Sequence, residues 1–291
     1  MTEYLVYILL PQVLHGLVWG MVIAFIALGL TIIFGLMDIV NFAHGEFYML
    51  GAFFGYSISF VTHNFWISLA LAGIAVGLLG VLIELLMLRR LYGRDPIFHL
   101  LLTFGIGMIF REAALYVWSG DTRRVDLPVS STIEFLGMTY PVYRLAILAI
   151  GALVLIVIWY ILAKTASGAT IRAASQDRQM SWALGINVPR VYTLVFATGV
   201  ALAGFAGFLM SPIYFVYPTM GIDVILRAFV VVIVGGMGSL LGALVASIMI
   251  GEIESLASLW ISPTWAETLV FVALIITLIV KPSGLFGKAE R

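Results

Sequence analysis

The 291-residue sequence has no cysteine and few charged side chains, and each shortage excludes a class of protein. Without cysteine, the chain forms no disulfide and offers no thiolate ligand to a metal. Only 10% of residues are Asp, Glu, Lys or Arg, against about 25% in an average soluble protein, so a soluble domain could not cover its surface. The acidic and basic residues number 15 each, so no excess of positive charge indicates nucleic-acid binding.

Two sequence motifs are also missing. No G-x-x-x-x-G-K-[ST] segment occurs, so the chain is not expected to hydrolyse ATP in a phosphate-binding loop of that type. The N-terminus lacks a basic segment and a small-residue cleavage site, so the first apolar run is expected to be a retained helix rather than a signal peptide.

Long apolar runs take the place of the missing charge, and 63% of the residues are hydrophobic. No charged residue lies between Glu3 and Asp38, or between Glu46 and Glu84. Each gap exceeds the roughly 20 residues that cross a hydrocarbon core about 30 Å thick. The runs are unbroken rather than alternating, which argues against the strands of a membrane barrel. The sequence predicts an all-α, polytopic bundle of transmembrane helices that forms one domain over residues 1–291.

Charges, prolines and interfacial aromatic residues divide the chain into eight candidate segments, of which the seventh is broken by glycines. The predicted segments are 7–34, 47–61, 66–88, 97–118, 143–163, 191–210, 224–257 and 265–280. Glycines four residues apart, such as Gly16 with Gly20 and Gly51 with Gly55, are expected to let helix backbones approach closely.

Basic residues indicate which side of the membrane each loop occupies. They concentrate after the third segment, between the fifth and sixth, and at the C-terminus, as Arg89, Arg90, Arg94, Lys164, Arg172, Arg178, Arg190, Lys281, Lys288 and Arg291. Because short basic loops stay inside the cell, these regions and the C-terminus are predicted to be cytoplasmic.

Two interruptions place polar groups within or beside the bilayer. The first, residues 35–46, carries Asp38, Asn41, His44 and Glu46 between two apolar runs. An aqueous turn would explain them, but the segment is too apolar for a typical loop, and polar residues at a break inside the membrane are functional candidates. The second break is a cluster of small residues, Gly235, Gly236 and Gly238.

Glycine-interrupted helices in two halves of a chain are typical of transporters with a pathway near the membrane midplane. We therefore expect Asn41, His44 and Glu46 to line or support a translocation route and to face Gly235–Gly238. They could equally hold the broken helix by hydrogen bonds. Two local ion pairs are also expected, Arg111 with Glu112 and Asp223 with Arg227, the latter at i,i+4 spacing.

A further helix is predicted outside the lipid, over residues 168–184 within a connecting segment of about 164–190. Gly185 suits the residue that ends a helix, and Asn187 suits the cap of the next one. A solvated connector would explain this helix, but its Trp182 and Leu184 are typical of side chains that dock into a groove or the membrane interface.

Three motifs, in this order, resemble the LivH-type permeases of bacterial branched-chain amino acid ABC transporters. They are Asp38-Ile39-Val40-Asn41-Phe42-Ala43-His44-Gly45-Glu46-Phe47, then Arg172-Ala173-Ala174-Ser175-Gln176-Asp177 with Leu184-Gly185-Ile186-Asn187, and Val234-Gly235-Gly236-Met237-Gly238-Ser239 with Gly242. The resemblance covers nearly the whole chain.

The resemblance implies a permease subunit of an importer in the bacterial inner membrane. Its expected partners are a second, LivM-like permease, two cytoplasmic ATP-binding subunits that hold ATP and magnesium, and an extracytoplasmic substrate-binding protein. No catalytic residue, cofactor or metal is expected on this chain. The helix at 168–184 would be the coupling helix, with Arg172, Asp177, Arg178, Trp182, Leu184 and Gly185 at the contact with one ATPase.

Three alternatives stay open at this point. The family's usual cargo is a branched-chain or other hydrophobic amino acid, but relatives carry urea or short amides. An ion-coupled secondary carrier is a second possibility, since Asp38, His44 and Glu46 supply titratable groups. A purely structural or assembly subunit is the third.

Overall fold

The computed structural model describes residues 5–135 and 138–287, so the predicted basic residues Lys288 and Arg291 lie outside the described chain. The described residues form α1 (Leu10–Met37), α2 (His44–Thr62), α3 (Phe65–Leu86), α4 (Pro96–Trp118), α5 (Val142–Lys164), α6 (Ala166–Gln176), α7 (Arg178–Ala183), α8 (Val188–Met210), α9 (Met220–Gly235), α10 (Leu240–Ala257) and α11 (Pro263–Val280). Two strands, β1 (Thr132–Phe135) and β2 (Met138–Pro141), pair as an antiparallel hairpin before α5.

Seven of these helices are long and apolar enough to cross a membrane, namely α1, α3, α4, α5, α8, α10 and α11. The predicted multi-pass helical architecture is therefore confirmed. α2 and α9, which adjoin the two predicted breaks, are not among the seven.

Helix α1 lies at the centre of the bundle. Of its most apolar stretch, 72% is buried inside the protein, whereas the same fraction is 11% for α5 and for α11. Large apolar side chains on the outer helices, such as Leu78, Ile109 and Trp159, face outward. Because a soluble surface would not carry so many of them, the outer helices present the face expected to contact lipid.

Glycines allow the inner helices to pack closely. A methyl group added at Gly20 would lie 2.9 Å from the carbonyl oxygen of Ser247 on α10, and one added at Gly51 would overlap the backbone of Gly204 on α8. The predicted packing role of the small residues is confirmed at these positions.

The bundle has two distinct ends. At the end called here the basic end, Arg89 donates to the carbonyl oxygen of Pro189 at the start of α8, and α6 and α7 lie nearby. At the opposite end, called the hairpin end, Gln12 of α1 bonds to Ser255 near the end of α10.

The first break takes the chain back into the bundle. Helix α1 ends at the basic end, where Asp38 has a φ of 52°. Residues 38–43 then run without helix until α2 begins at His44, whose Nε2 lies 3.0 Å from the carbonyl oxygen of Ile26. Ile26 is about three turns, or about 16 Å, before the end of α1. Helix α2 therefore begins inside the bundle and runs to the hairpin end.

Candidate functional site

The N-termini of α2 and α9 meet inside the bundle, and we call this contact the central junction. A methyl group added at Gly45 would overlap the carbonyl oxygen of Gly221, and one added at Gly221 would lie 2.6 Å from that of Gly45. Each helix carries an acid in its first turn, Glu46 in α2 and Asp223 in α9. Negative charge is favourable there because the first N–H groups of a helix are positively polarised.

The three polar residues predicted from the first break are all buried at this junction. Asn41 and His44 have no exposed surface, and Glu46 is 5% exposed. The Asn41 side chain accepts from the N–H of Ala43, and His44 contacts Ile26. These bonds hold the break and the start of α2, which favours the structural alternative for part of their role.

Each of these side chains also keeps a buried polar atom without a hydrogen-bond partner among the described residues. They are Nδ2 of Asn41, Nδ1 of His44 and Oε2 of Glu46. Because unpaired buried polar groups are costly, their concentration at one place marks the central junction as a candidate site.

Helix α4 fixes the first break from the side. The Thr103 hydroxyl accepts from the N–H of Phe42 at 3.2 Å, and Arg111 Nε lies 4.0 Å from Oε1 of Glu46. The predicted pair of Arg111 with Glu112 is wrong. Neighbouring residues on a helix point about 100° apart, so Arg111 faces α2 while Glu112 is exposed.

A cavity of about 620 Å³ at the hairpin end extends to Met220, the first residue of α9, beside the central junction. Its apolar wall includes Tyr48 of α2 and Met220 and Val224 of α9, which are all buried. Charged side chains from α5, α9, α10 and α11 also line it, namely Arg144, Asp223, Arg227, Glu254 and Glu267. The volume lies within the range of small-molecule binding sites, about 300–1,000 Å³.

Arg227 is the centre of an ion-pair network on the cavity wall. Its guanidinium lies 2.6 Å from Glu267 and 3.4 Å from Glu254, and it reaches only the main-chain oxygen of Asp223. The predicted Asp223–Arg227 side-chain pair is therefore wrong. Two carboxylates from neighbouring helices reach the arginine, while the Asp223 carboxylate accepts from the Tyr217 hydroxyl at 2.9 Å.

The second break lies at the basic end and is packed by backbone. Gly235 contacts Gly242, and a methyl group added at Gly35 would lie 3.3 Å from Cα of Gly238. Gly236 has a φ of 101° and contacts Gly287 in the C-terminal segment.

The structure does not bring this break to the polar residues of the first. Glu46 lies beside Gly221, and Gly235 follows about four turns, or about 20 Å, later in α9. The expectation that this polar group faces Gly235–Gly238 is therefore wrong for Glu46.

The segment at 164–190 forms two short helices rather than the one predicted. Asp177 separates α6 from α7 with extended backbone, and its side chain accepts from the N–H of Met180 at 2.9 Å. Asp177 caps a new helix, and this explains the break. The bond from the N–H of Met180 to the Asp177 side chain replaces the backbone bond that this N–H would make in a continuous helix. Gly185, with a φ of 84°, ends the segment as predicted.

Three large apolar side chains of this segment, Met180, Trp182 and Leu184, are exposed. Trp182 is 76% exposed and Leu184 is 74% exposed, whereas Ile171 of α6 packs against the core. Arg172 is exposed as well. We call Met180, Trp182 and Leu184 the apolar tip.

Comparison with known proteins identifies the family. The sequence model of the family described as the permease component of branched-chain amino acid transport systems matches residues 12–279. The chain belongs to this permease family. The resemblance to LivH-type permeases is thereby confirmed.

Full-length relatives of this permease are curated as high-affinity branched-chain amino acid transport permeases. LivH of Escherichia coli strain K12 is 29% identical and LivH of Salmonella typhimurium is 28% identical, each over 100% of this chain and 99% of the relative. BraD of Pseudomonas aeruginosa is 26% identical over 98% of both chains. No solved structure is detectably similar to the chain.

Sequence reasoning missed several residues of the candidate site, among them Thr103 and Arg144. Thr103 gave no signal, because a lone threonine in an apolar helix is common. Arg144 did give one, since a charged residue in the first turn of an otherwise apolar membrane segment is uncommon.

Proposed function

We propose that this chain is one of two permease subunits of an ATP-driven importer of branched-chain or other hydrophobic amino acids in the bacterial inner membrane. Its partners would be a second permease, two cytoplasmic ATP-binding subunits and an extracytoplasmic substrate-binding protein. The basic end and the C-terminus would then face the cytoplasm.

The observation that carries the proposal is the apolar tip at the basic end. An exposed tryptophan and an exposed leucine two residues apart on a short segment are typical of anchors that fill a groove of a partner. Because the chain has no phosphate-binding loop of its own, an ATP-binding partner is the occupant that the family supports.

A physical link supports transmission of movement from the tip into the bundle. Arg178, at the start of α7, lies 3.2 Å from Asp38 and stacks over the ring of Tyr192 on α8. Asp38 begins the non-helical segment that leads to the central junction. Displacement of α7 would thus act on the segment that positions Asn41, His44 and Glu46.

Reconstitution tests the proposal. Liposomes that contain the permease with its partner subunits are expected to accumulate radiolabelled leucine when ATP is supplied on the side of the basic end. The chain alone should accumulate none under a proton or sodium gradient. Ion-driven uptake by the chain alone would establish a secondary carrier instead. Uptake of urea or acetamide rather than leucine would show that the cargo is a small amide and not an amino acid.

A further inference from the structure

The cavity at the hairpin end contains one cation and one anion that are not neutralised by other residues. Among residues 5–135 and 138–287, neither Arg144 nor Asp223 takes part in an ion pair. By contrast, Arg227 in the same cavity is paired with Glu254 and Glu267. The cavity therefore offers one available charge of each sign.

The two charges are held differently. Arg144 is half-buried in the first turn of α5 and makes no hydrogen bond to another described residue. Asp223 is held by the Tyr217 hydroxyl at 2.9 Å, at the positively polarised N-terminus of α9. Its carboxylate has further lone pairs that can accept from a ligand.

The wall below these charges is apolar. Val18, Tyr48, Met220 and Val224 line the deeper part of the cavity next to the central junction, and none exceeds 5% exposure. A polar rim above an apolar wall fits a ligand with a charged head and an aliphatic side chain.

We propose that this cavity is the site where the permease receives its substrate, with Arg144 binding the carboxylate and Asp223 the ammonium group of a zwitterionic amino acid. The inference rests on the proposed function and adds a substrate site to it. Arginine suits this role because its planar guanidinium binds a carboxylate through two parallel hydrogen bonds. Urea and short amides carry no charge, so they would gain little from either residue.

The test uses the complete complex in liposomes and compares Arg144→Gln with wild type. Leucine uptake and ATP hydrolysis are measured at increasing concentrations of leucine-loaded binding protein. We expect leucine transported per ATP to fall about tenfold or more, because a charge-assisted hydrogen bond is lost. The half-saturating concentration of binding protein should stay unchanged. Arg144→Lys should recover part of the uptake, and Asp223→Asn should lower it.

Arg124→Gln is the matched control, since Arg124 lies at the same end but does not line this cavity. It should transport like wild type. Unchanged transport in Arg144→Gln would overturn the proposal, and so would a higher half-saturating concentration with unchanged maximal uptake, which indicates a docking surface for the binding protein. Loss of the second permease from purified Arg144→Gln would also overturn it, because Arg144 would then be an interface residue. If wild type itself shows no ATP-driven uptake, the proposed function fails instead.

Discussion

Asp38 and Arg178 are 140 residues apart in the sequence, yet their side chains form an ion pair of 3.2 Å. The pair joins the end of α1 to the start of α7, so it connects the first break to the segment that carries the apolar tip. Both side chains are substantially exposed, at 79% and 45%. Surface pairs of this kind contribute about 0–1 kcal/mol to stability. This pair therefore adds little to the stability of the fold, and its main effect is to connect these two segments.

A double-mutant cycle tests that connection. Asp38→Asn and Arg178→Gln should each lower ATP-driven leucine uptake several-fold, while the melting temperature of the complex stays nearly constant. Asparagine tolerates the left-handed backbone at position 38, so the substitution removes the charge without straining the chain. The double variant should be no worse than either single variant, because both remove the same interaction. Additive losses would show that the two residues act separately.

The close approach at the central junction predicts a stability effect. Gly45→Ala should lower the free energy of unfolding by about 1–3 kcal/mol, since the added methyl group overlaps the Gly221 carbonyl oxygen. Thermal unfolding of the purified protein in detergent would measure this loss.

Gly105→Ala is its control. Gly105 lies in α4 with no atom within 4 Å of the added methyl group, so alanine should be neutral or stabilising by up to about 1 kcal/mol. Equal melting temperatures for the two variants would contradict the packing described at Gly45.

Glu84 predicts a second stability effect, at the basic end. Its fully buried carboxylate accepts from Arg89 at 3.1 Å, from Tyr92 at 2.6 Å and from Thr193 at 2.7 Å. Burial and the bond to Glu84 raise the pKa of the Tyr92 hydroxyl, so it remains a donor. Glu84→Gln should cost about 2 kcal/mol, because the hydrogen bonds that these three donors make to a charged carboxylate are weakened or lost.

Glu112→Gln provides the comparison for Glu84, since Glu112 is exposed on α4 and makes no ion pair in the described chain. It should change stability by less than about 0.5 kcal/mol. An equal loss in both variants would mean that charge in general, and not the network of Glu84, sets the stability.

Much of the fold could be predicted because membrane helices appear in the sequence as long apolar runs. The predicted segment 97–118 lies within α4, and 143–163 lies within α5, to within a residue or two at each end.

The site was harder to predict because it depends on contacts between distant segments. Nothing local indicates that Arg111 selects Glu46 over its neighbour Glu112, or that Arg227 pairs with carboxylates of α10 and α11. The position of Gly235–Gly238 along the bundle could not be predicted for the same reason. A glycine cluster indicates that a helix is interrupted, but it does not indicate which part of the neighbouring helices lies beside the interruption. In each case, tertiary packing determines which residues are buried and which residues pair.

The central claim is that a partner at the basic end drives the permease through the apolar tip, and Trp182 tests it most directly. Trp182→Ala should leave the fold intact, because the side chain is 76% exposed in this chain. Trp260, 70% exposed at the hairpin end, is the matched control. Substrate-stimulated ATP hydrolysis by the reconstituted complex should fall at least about tenfold in Trp182→Ala, as for an interface anchor, and should be unchanged in Trp260→Ala. Full hydrolysis and uptake in Trp182→Ala would contradict the account.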